Sequence, residues 1–233
     1  MTHIKAGVIV FPGTNCDRDT YHAIKYVMDA RVDYVWYENK SLHHYQLIVI
    51  PGGFSYGDYL RAGALARFSP IMDALRSYVD RGGLVIGICN GFQILLESLM
   101  LPGAMQRNKT LKFVCDDAFI RVERVDTAFT MLYKKGDILK IPIAHAEGNY
   151  YAPPDLLDRI EHKKQIVLRY VDQNGKRSES SNPNGSINAI AGLCNDKGNI
   201  LGMMPHPERA SDGLIGSEDG KRIFLSIKKA LGS

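Results

Sequence analysis

The stretch Leu84-Val85-Ile86-Gly87-Ile88-Cys89-Asn90-Gly91-Phe92-Gln93-Ile94-Leu95-Leu96 decides the fold. Its first three residues are an unbroken apolar run, the mark of a strand covered on both faces in a parallel sheet. After Asn90, the apolar residues Phe92, Leu95, Leu96 and Leu99 recur at helical spacing. Strand and helix are joined by Gly87-x-Cys89-x-Gly91, the nucleophile-elbow pattern with sulfur in place of a hydroxyl. So tight a turn needs flanks almost without side chain, which glycine supplies. The thiol is then held at the sheet edge, at a helix N-terminus whose positive end favours a thiolate.

Upstream of the elbow, Val8–Phe11, Val32–Tyr37 and Leu47–Ile50 read as strands; Pro12-Gly13 ends the first and Pro51-Gly52-Gly53 the third. Asn15 or Asp17 is placed to cap a helix whose stripe is Ala23, Ile24, Val27 and Met28. Ser69-Pro70 opens a second helix with Ile71, Ala74, Leu75, Tyr78 and Val79 on one face. This alternation predicts an α/β fold: a mostly parallel central sheet with helices on both faces.

Downstream the pattern changes. Phe119–Val125 alternates as a half-exposed antiparallel strand does. Ile138–Ile143 and Ile166–Val171 read as further strands, Asp155–His162 as a short helix, Asn174-Gly175 as a turn and Arg177–Gly185 as a loop. Asn188–Gly192 and Ile200–Met204 should pair about the Asn195–Gly198 turn, and the last helix carries Ile223, Phe224, Ile227, Ala230 and Leu231. A small antiparallel extension of the sheet follows. No repeat or linker divides the chain, so residues 1–233 are expected to form a single domain.

Composition excludes several classes. A hydrophobic fraction of 45% and a charged fraction of 23% are ordinary for a globular protein. The net charge of +4 is mild, and the basic pairs at 134–135, 163–164 and 176–177 are scattered, so no basic stripe argues for nucleic acid. No apolar run approaches membrane-spanning length, and the run Ala6–Phe11 is too short for a signal peptide. The four cysteines, Cys16, Cys89, Cys115 and Cys194, lie far apart without a CxxC, which argues against a disulfide framework or a cysteine zinc site. A reducing cytoplasm is the expected compartment.

A catalytic cysteine needs a base, and the base an orienting group. Of seven histidines, His3 is at the terminus, His22 and His162 fall in amphipathic helices, and His43-His44 lies in a polar connector. His145, in Ala-His-Ala-Glu-Gly, and His206, in Pro-His-Pro-Glu, remain. His206 has the better physics, because Pro205 and Pro207 restrict the backbone around it. In an extended segment, His206 and Glu208 point the same way, so the carboxylate can hold one ring nitrogen and leave the other for a thiol. The backbone N–H groups of Pro51-Gly52-Gly53, at the end of the third strand, together with that of Asn90, are placed to bind an oxyanion. Cys16 is the rival nucleophile, also near a helix start but not bracketed by glycine.

Pro51-Gly52-Gly53, Gly87-Ile88-Cys89-Asn90-Gly91-Phe92-Gln93 and Pro205-His206-Pro207-Glu208 resemble the triad-type (class I) glutamine amidotransferases. The stretches 11–19 and 52–64, with Arg107-Asn108 and His145–Gly148, are similar to one branch of that family, glutaminase subunits that serve de novo purine synthesis. The resemblance covers nearly the whole chain. It implies a flavodoxin-like fold, Cys89 as nucleophile, His206 as general base and acid, Glu208 as orienting carboxylate, Gly53 and Asn90 as oxyanion donors and Gln93 in glutamine binding. His145–Tyr150 would line the glutamine pocket. It further implies two partners, a large ATP-using synthetase subunit and a small accessory subunit. No GxxxxGK[ST] or GxGxxG occurs, so no cofactor or metal is expected in this chain, and ATP and Mg should belong to the synthetase. Cysteine peptidases of the same scaffold commonly have histidine directly after the nucleophile; here Asn90 follows. The Gly- and aromatic-rich segment holding Tyr56, Tyr59 and Arg61 is expected to sense partner docking.

Overall fold

The computed structural model describes residues 4–232, so His3 lies outside the described residues. In chain order its elements are β1 (Lys5–Val10), α1 (Asp17–Val27), β2 (Arg31–Trp36), β3 (Leu47–Ile50), α2 (Pro70–Asp80), β4 (Leu84–Ile88), α3 (Asn90–Glu97), β5 (Ala104–Gln106), β6 (Val114–Val122), β7 (Ile138–His145), β8 (Asn149–Tyr151), α4 (Pro154–His162), β9 (Ile166–Val171), β10 (Ile190–Cys194), β11 (Ile200–Met203) and α5 (Lys221–Ala230).

Nine strands form one sheet in the order β2-β1-β3-β4-β11-β10-β9-β6-β7, and β5 pairs with β8 in a separate ribbon. From β2 to β11 all neighbours are parallel. From β11 to β7 all are antiparallel. The antiparallel extension is thus mostly a continuation of the central sheet, with the short ribbon as the one separate piece among the described residues.

The direction of travel sets the layers. The chain steps one way from β1 to β2 and the other way from β3 to β4, and crossovers between parallel strands are right-handed. That places α1 on one face and α2 and α3 on the other. Helix α5 packs on α1, completing the first layer. With both faces covered, every residue of β3 and β11 is buried. By contrast, β6, next to the edge strand β7, alternates over Ala118–Val122; the pattern expected over Phe119–Val125 overruns it, because the strand ends at Val122.

Two glycines bring α3 hard against the sheet. Gly87 of β4 lies beside Gly202 of β11 in the parallel register. A Cβ on Gly202 would sit 2.2 Å from the Phe92 ring, and one on Gly87 2.5 Å from Leu95. Bare backbone at both positions lets these side chains reach the sheet and sets the height of the helix that begins just after Cys89.

Several local expectations are corrected. Leu99 is not on the core stripe. The helix ends at Glu97, Leu99 turns left-handed (φ +60°), and its side chain is 83% exposed. The N-cap of α1 is Cys16; Asn15 accepts from the Cys16 thiol and Asp17 lies in the first turn. Ser69 does precede Pro70 at the start of α2, but its hydroxyl meets that of Tyr56 instead of capping. On α5, Ala230 is exposed, and Ser226 fills the inner face by donating to Arg222 O and accepting from Leu132 N–H. Among the described residues no helix is long and apolar enough to cross a membrane.

Candidate active site

The parallel register delivers the predicted residues to one edge. Ile50 of β3 pairs with Gly87 of β4, and Met203 of β11 pairs with Ile88. The chain therefore leaves β3, β4 and β11 at the same level, into Pro51-Gly52-Gly53, Cys89 and Met204-Pro205-His206. Beside them β1 leads through Phe11 and Thr14 to Cys16, tied to the β3 exit by the Cys16 N–H to Gly52 O bond at 3.2 Å. Ligand sites of open α/β sheets gather at this carboxyl edge.

Cys89 occupies the elbow with φ +51° and ψ −106°, a strained conformation for a residue with a side chain. Its N–H donates to Met203 O at 2.8 Å, which clamps the elbow to β11. Gly91 is obligatory, since a Cβ there would lie 2.0 Å from Ile50 O. Gly52 is equally constrained. A Cβ on it would meet His206 Cε1 at 2.8 Å, Cys16 Sγ at 3.0 Å and Cys89 Cβ at 3.4 Å. Three side chains from three strands thus converge on the bare face of one glycine.

His206 donates its backbone N–H to Pro142 O at 2.8 Å, and its Nδ1 meets Glu208 Oε1 at 2.6 Å. Ring and carboxylate are both buried. Burial alone would push the imidazole toward its neutral form. The Glu208 carboxylate and then the Cys89 sulfur outweigh it and hold His206 well above the usual histidine range. Nε2 faces the Cys16 and Cys89 sulfurs without a well-formed bond to either, and Glu208 Oε2 is likewise buried and unpartnered. The backbone differs from the extended segment expected. Pro207–Ala210 forms a 3-10 turn with His206 as its N-cap. Pro207 stops His206 from continuing an ordinary helix and starts the turn itself, so the ion pair closes across a turn, not along a strand.

The remaining predicted residues fall in place around the thiol. Gly53 faces Thr14, with flanking bonds running from Phe54 N–H to Gly13 O and from Cys16 N–H to Gly52 O. Its own N–H, and that of Asn90 at the start of α3, have no protein acceptor among the described residues. The Asn90 side chain accepts from Ser55 N–H at 3.1 Å and donates to Gln93 Oε1 at 2.9 Å. Gln93 then donates to Glu147 O at 2.5 Å, which joins the elbow helix to the turn after β7.

His145 is brought close but is not arranged as a base. Burial and then the positive His206 push it down to about 4, so it stays neutral. Its ring Nδ1 contacts Asn108 Oδ1 at 3.2 Å, and the same oxygen accepts from Gly148 N–H at 2.9 Å. Asn184 reaches both the His145 ring and the Tyr170 hydroxyl. Asn184 and Tyr170 carry no motif, and only their burial reveals them. Cys16, the rival thiol, receives the Arg209 guanidinium at 3.2 Å. With His206 and Glu208 it brings one sulfur, one nitrogen and one oxygen within 4.8 Å of one another, a donor mix zinc accepts. The 2.6 Å His206–Glu208 bond already engages two of those three side chains.

A family model for the CobB/CobQ-like glutamine amidotransferase domain matches residues 3–222. The phosphoribosylformylglycinamidine synthase subunit PurQ of Chlorobium luteolum is 52% identical over 231 residues, covering 99% of this chain and all of its own. The chain belongs to the PurQ family. A second PurQ, from Moorella thermoacetica, is 51% identical over 96% of this chain and 95% of its own length. Among solved structures, a chain of the PurLQS structure from Thermotoga maritima is 44% identical, covers 99% of this chain and 100% of its own, and superposes with a TM-score of 0.88. A putative GMP synthase subunit from Thermoplasma acidophilum, at 14% identity and a TM-score of 0.64 over 99% of this chain and 97% of its own, shares the fold of this chain.

Proposed function

We propose that this chain is the glutaminase subunit of a phosphoribosylformylglycinamidine synthase and that Cys89, His206 and Glu208 carry its chemistry. The observation that carries the reading is the convergence of the strained Cys89 elbow and the buried His206–Glu208 pair on the bare face of Gly52.

The Cys89 thiolate attacks the side-chain carbonyl carbon of glutamine, and the oxyanion that forms lies against the N–H groups of Gly53 and Asn90. Glu208 holds Nδ1, so the proton at Nε2 is the one His206 delivers to the departing nitrogen. Ammonia leaves and a γ-glutamyl thioester remains. His206 then takes a proton from water, the hydroxide attacks the thioester, and glutamate departs as the thiolate is restored. Gln93, held between Asn90 and Glu147, borders the substrate chain.

Ammonia passes to a large synthetase subunit, which with ATP and Mg converts the formylglycinamide ribonucleotide to its amidine; a small accessory subunit completes the assembly. A sheltered route is required because ammonia protonates in water and the ammonium ion is no nucleophile. The exposed Phe54, Tyr59, Leu60 and Phe68 around the 54–68 segment supply an apolar docking face beside the site. This chain works as one domain in the cytoplasm and needs no cofactor of its own. Replacing Cys89 by alanine should abolish glutamate release from glutamine while the reconstituted complex still makes amidine from added ammonium. Undiminished glutamate release would refute the assignment.

A further inference from the structure

Five buried side-chain polar atoms among the described residues have no hydrogen-bond partner. Two belong to His206 and Glu208, already placed in the chemistry. Two others, Ser55 Oγ and Asp58 Oδ1, lie within four residues of each other in the turn that follows Gly53. Unsatisfied buried polar atoms are scarce in native proteins, and a pair in one turn beside a reactive centre calls for a ligand.

Ser55 is only 2% exposed, and its N–H donates to the Asn90 side chain at 3.1 Å. The turn is therefore pinned to the helix that carries Cys89. Asp58 sits one 3-10 turn further on, near Glu147. Glu147 is anchored twice: Oε2 accepts from Ala62 N–H at 3.2 Å and its backbone carbonyl accepts from Gln93. The exposed Arg61 guanidinium is bound through two nitrogens to Glu97, at 2.6 and 2.7 Å, so it is committed elsewhere. Two carboxylates thus face one region with no side-chain cation paired to Asp58. Burial and then Glu147 push the Asp58 carboxyl up to about 6, the response of an acid that lacks its counter-charge. The backbone holding it is strained: Tyr56, Gly57, Asp58 and Leu60 all have positive φ, from +53° to +71°. Strain of this kind is kept where a side chain must be aimed.

We infer that Asp58, with Ser55 and Glu147 beside it, forms the subsite for the α-ammonium group of the amino-acid substrate and so makes the site specific for an α-amino acid amide. Glutamine places its α-nitrogen roughly 5 Å from its reacting amide carbon, at about 1.5 Å per bond. An ammonium held by this turn leaves the amide free to reach Cys89, bordered by Gln93. The ammonium supplies both missing partners, a charge for Asp58 and a donor for the Ser55 hydroxyl. Asp58 touches substrate but takes no part in bond making, so its role is selection and positioning. The inference rests on the glutaminase reading above.

The test compares glutamine with 4-carbamoylbutanoate, the same amide without the α-amino group, as substrates of the reconstituted complex. In the wild type, kcat/KM should favour glutamine by about 100-fold or more, because a site built for a polar group rejects the analogue lacking it. In Asp58→Asn, KM for glutamine should rise at least tenfold with kcat within a few-fold, and the preference should shrink by the same tenfold. Ser55→Ala should shift it in the same direction by less. Alkylation of Cys89 by iodoacetamide, which has no amino group, should proceed at the wild-type rate in both variants, which verifies that the elbow is intact. An unchanged glutamine preference in Asp58→Asn with normal alkylation overturns the inference. Absence of glutamate release in the wild type would instead overturn the glutaminase reading on which it rests.

Discussion

The two halves of the central sheet serve the site in different ways. The parallel half, β2 to β11, supplies reactive groups from strand ends: Gly53, Cys89 and His206 leave β3, β4 and β11 at one level. The antiparallel half supplies their backing. Pro142 O accepts the His206 N–H, Ala144 O lies 3.6 Å from the Cys89 sulfur, and Asn108, His145, Asn184 and Tyr170 form a buried network behind them. One half sets chemistry through backbone geometry, and the other holds it through hydrogen bonds. Damage to the first should appear in turnover, and damage to the second in stability.

The largest effect should follow from Glu208→Gln. The amide keeps the shape but not the charge, and it no longer holds the imidazole with its proton on the useful nitrogen. A loss of about 10⁴-fold in kcat is expected, as for the corresponding change in triad hydrolases. Chemical denaturation should show a much smaller change. A turnover loss of less than tenfold would mean that the carboxylate orients nothing.

Asn108→Ala is the matching assault on the antiparallel half. Asn108 is fully buried; it donates to His145 O and Lys112 O, each at 2.8 Å, and accepts from Gly148 N–H. Its removal strands several buried groups at about 1–3 kcal/mol each, so stability should fall by about 3 kcal/mol or more. The denaturation midpoint measures this. If Asn108→Ala stops turnover at unchanged stability, the division between the halves is wrong.

That division also explains what could be read from the chain alone. Strand ends in the parallel half announce themselves because both their causes are local: apolar runs four or five residues long, and glycines where no Cβ fits, as at Gly91. The backing network has no such marks. Asn184 lies in a polar loop, and Tyr170 inside an ordinary strand; what ties them to His145 is bonds to partners 14 and 39 residues away, which no local pattern shows. Leu99 misled for the same reason in reverse, since its helical spacing continued past the point where the backbone turned. The His206–Glu208 pairing was legible, but the 3-10 turn that makes it was not, because proline restricts a backbone without choosing between extended and turned.

A pH titration sharpens the contrast. His145 is pushed from the usual 6.5 down to about 4, so the unfolded chain binds a proton that the folded one refuses. Its contribution to stability is therefore complete above about 6.5 and is lost as pH falls toward 4, amounting to at most about 3 kcal/mol. His206 shifts the opposite way, and its contribution is present below 6.5 and lost at pH above its raised value. In His145→Gln the stability loss between pH 6.5 and 4 should flatten. If the slope persists unchanged, the buried neutral imidazole is not its source.

The smallest effect on stability should come from the docking segment, which belongs to neither half. Arg61 meets Glu97 in a two-pronged bond, but its side chain is 55% exposed. Exposed pairs contribute at most about 1 kcal/mol, less at high salt; Glu97 is only 10% exposed but keeps Arg67 at 3.9 Å, so Arg61→Ala should move the denaturation midpoint only slightly. If the segment reads the partner, the same variant should lower glutamine-dependent amidine formation in the complex several-fold. The ammonium-driven reaction, which needs nothing from this segment, should not change. Equal rates for wild type and variant in both assays, with complex formation intact, would remove the docking role and leave Arg61 as a local tie between the segment and α3.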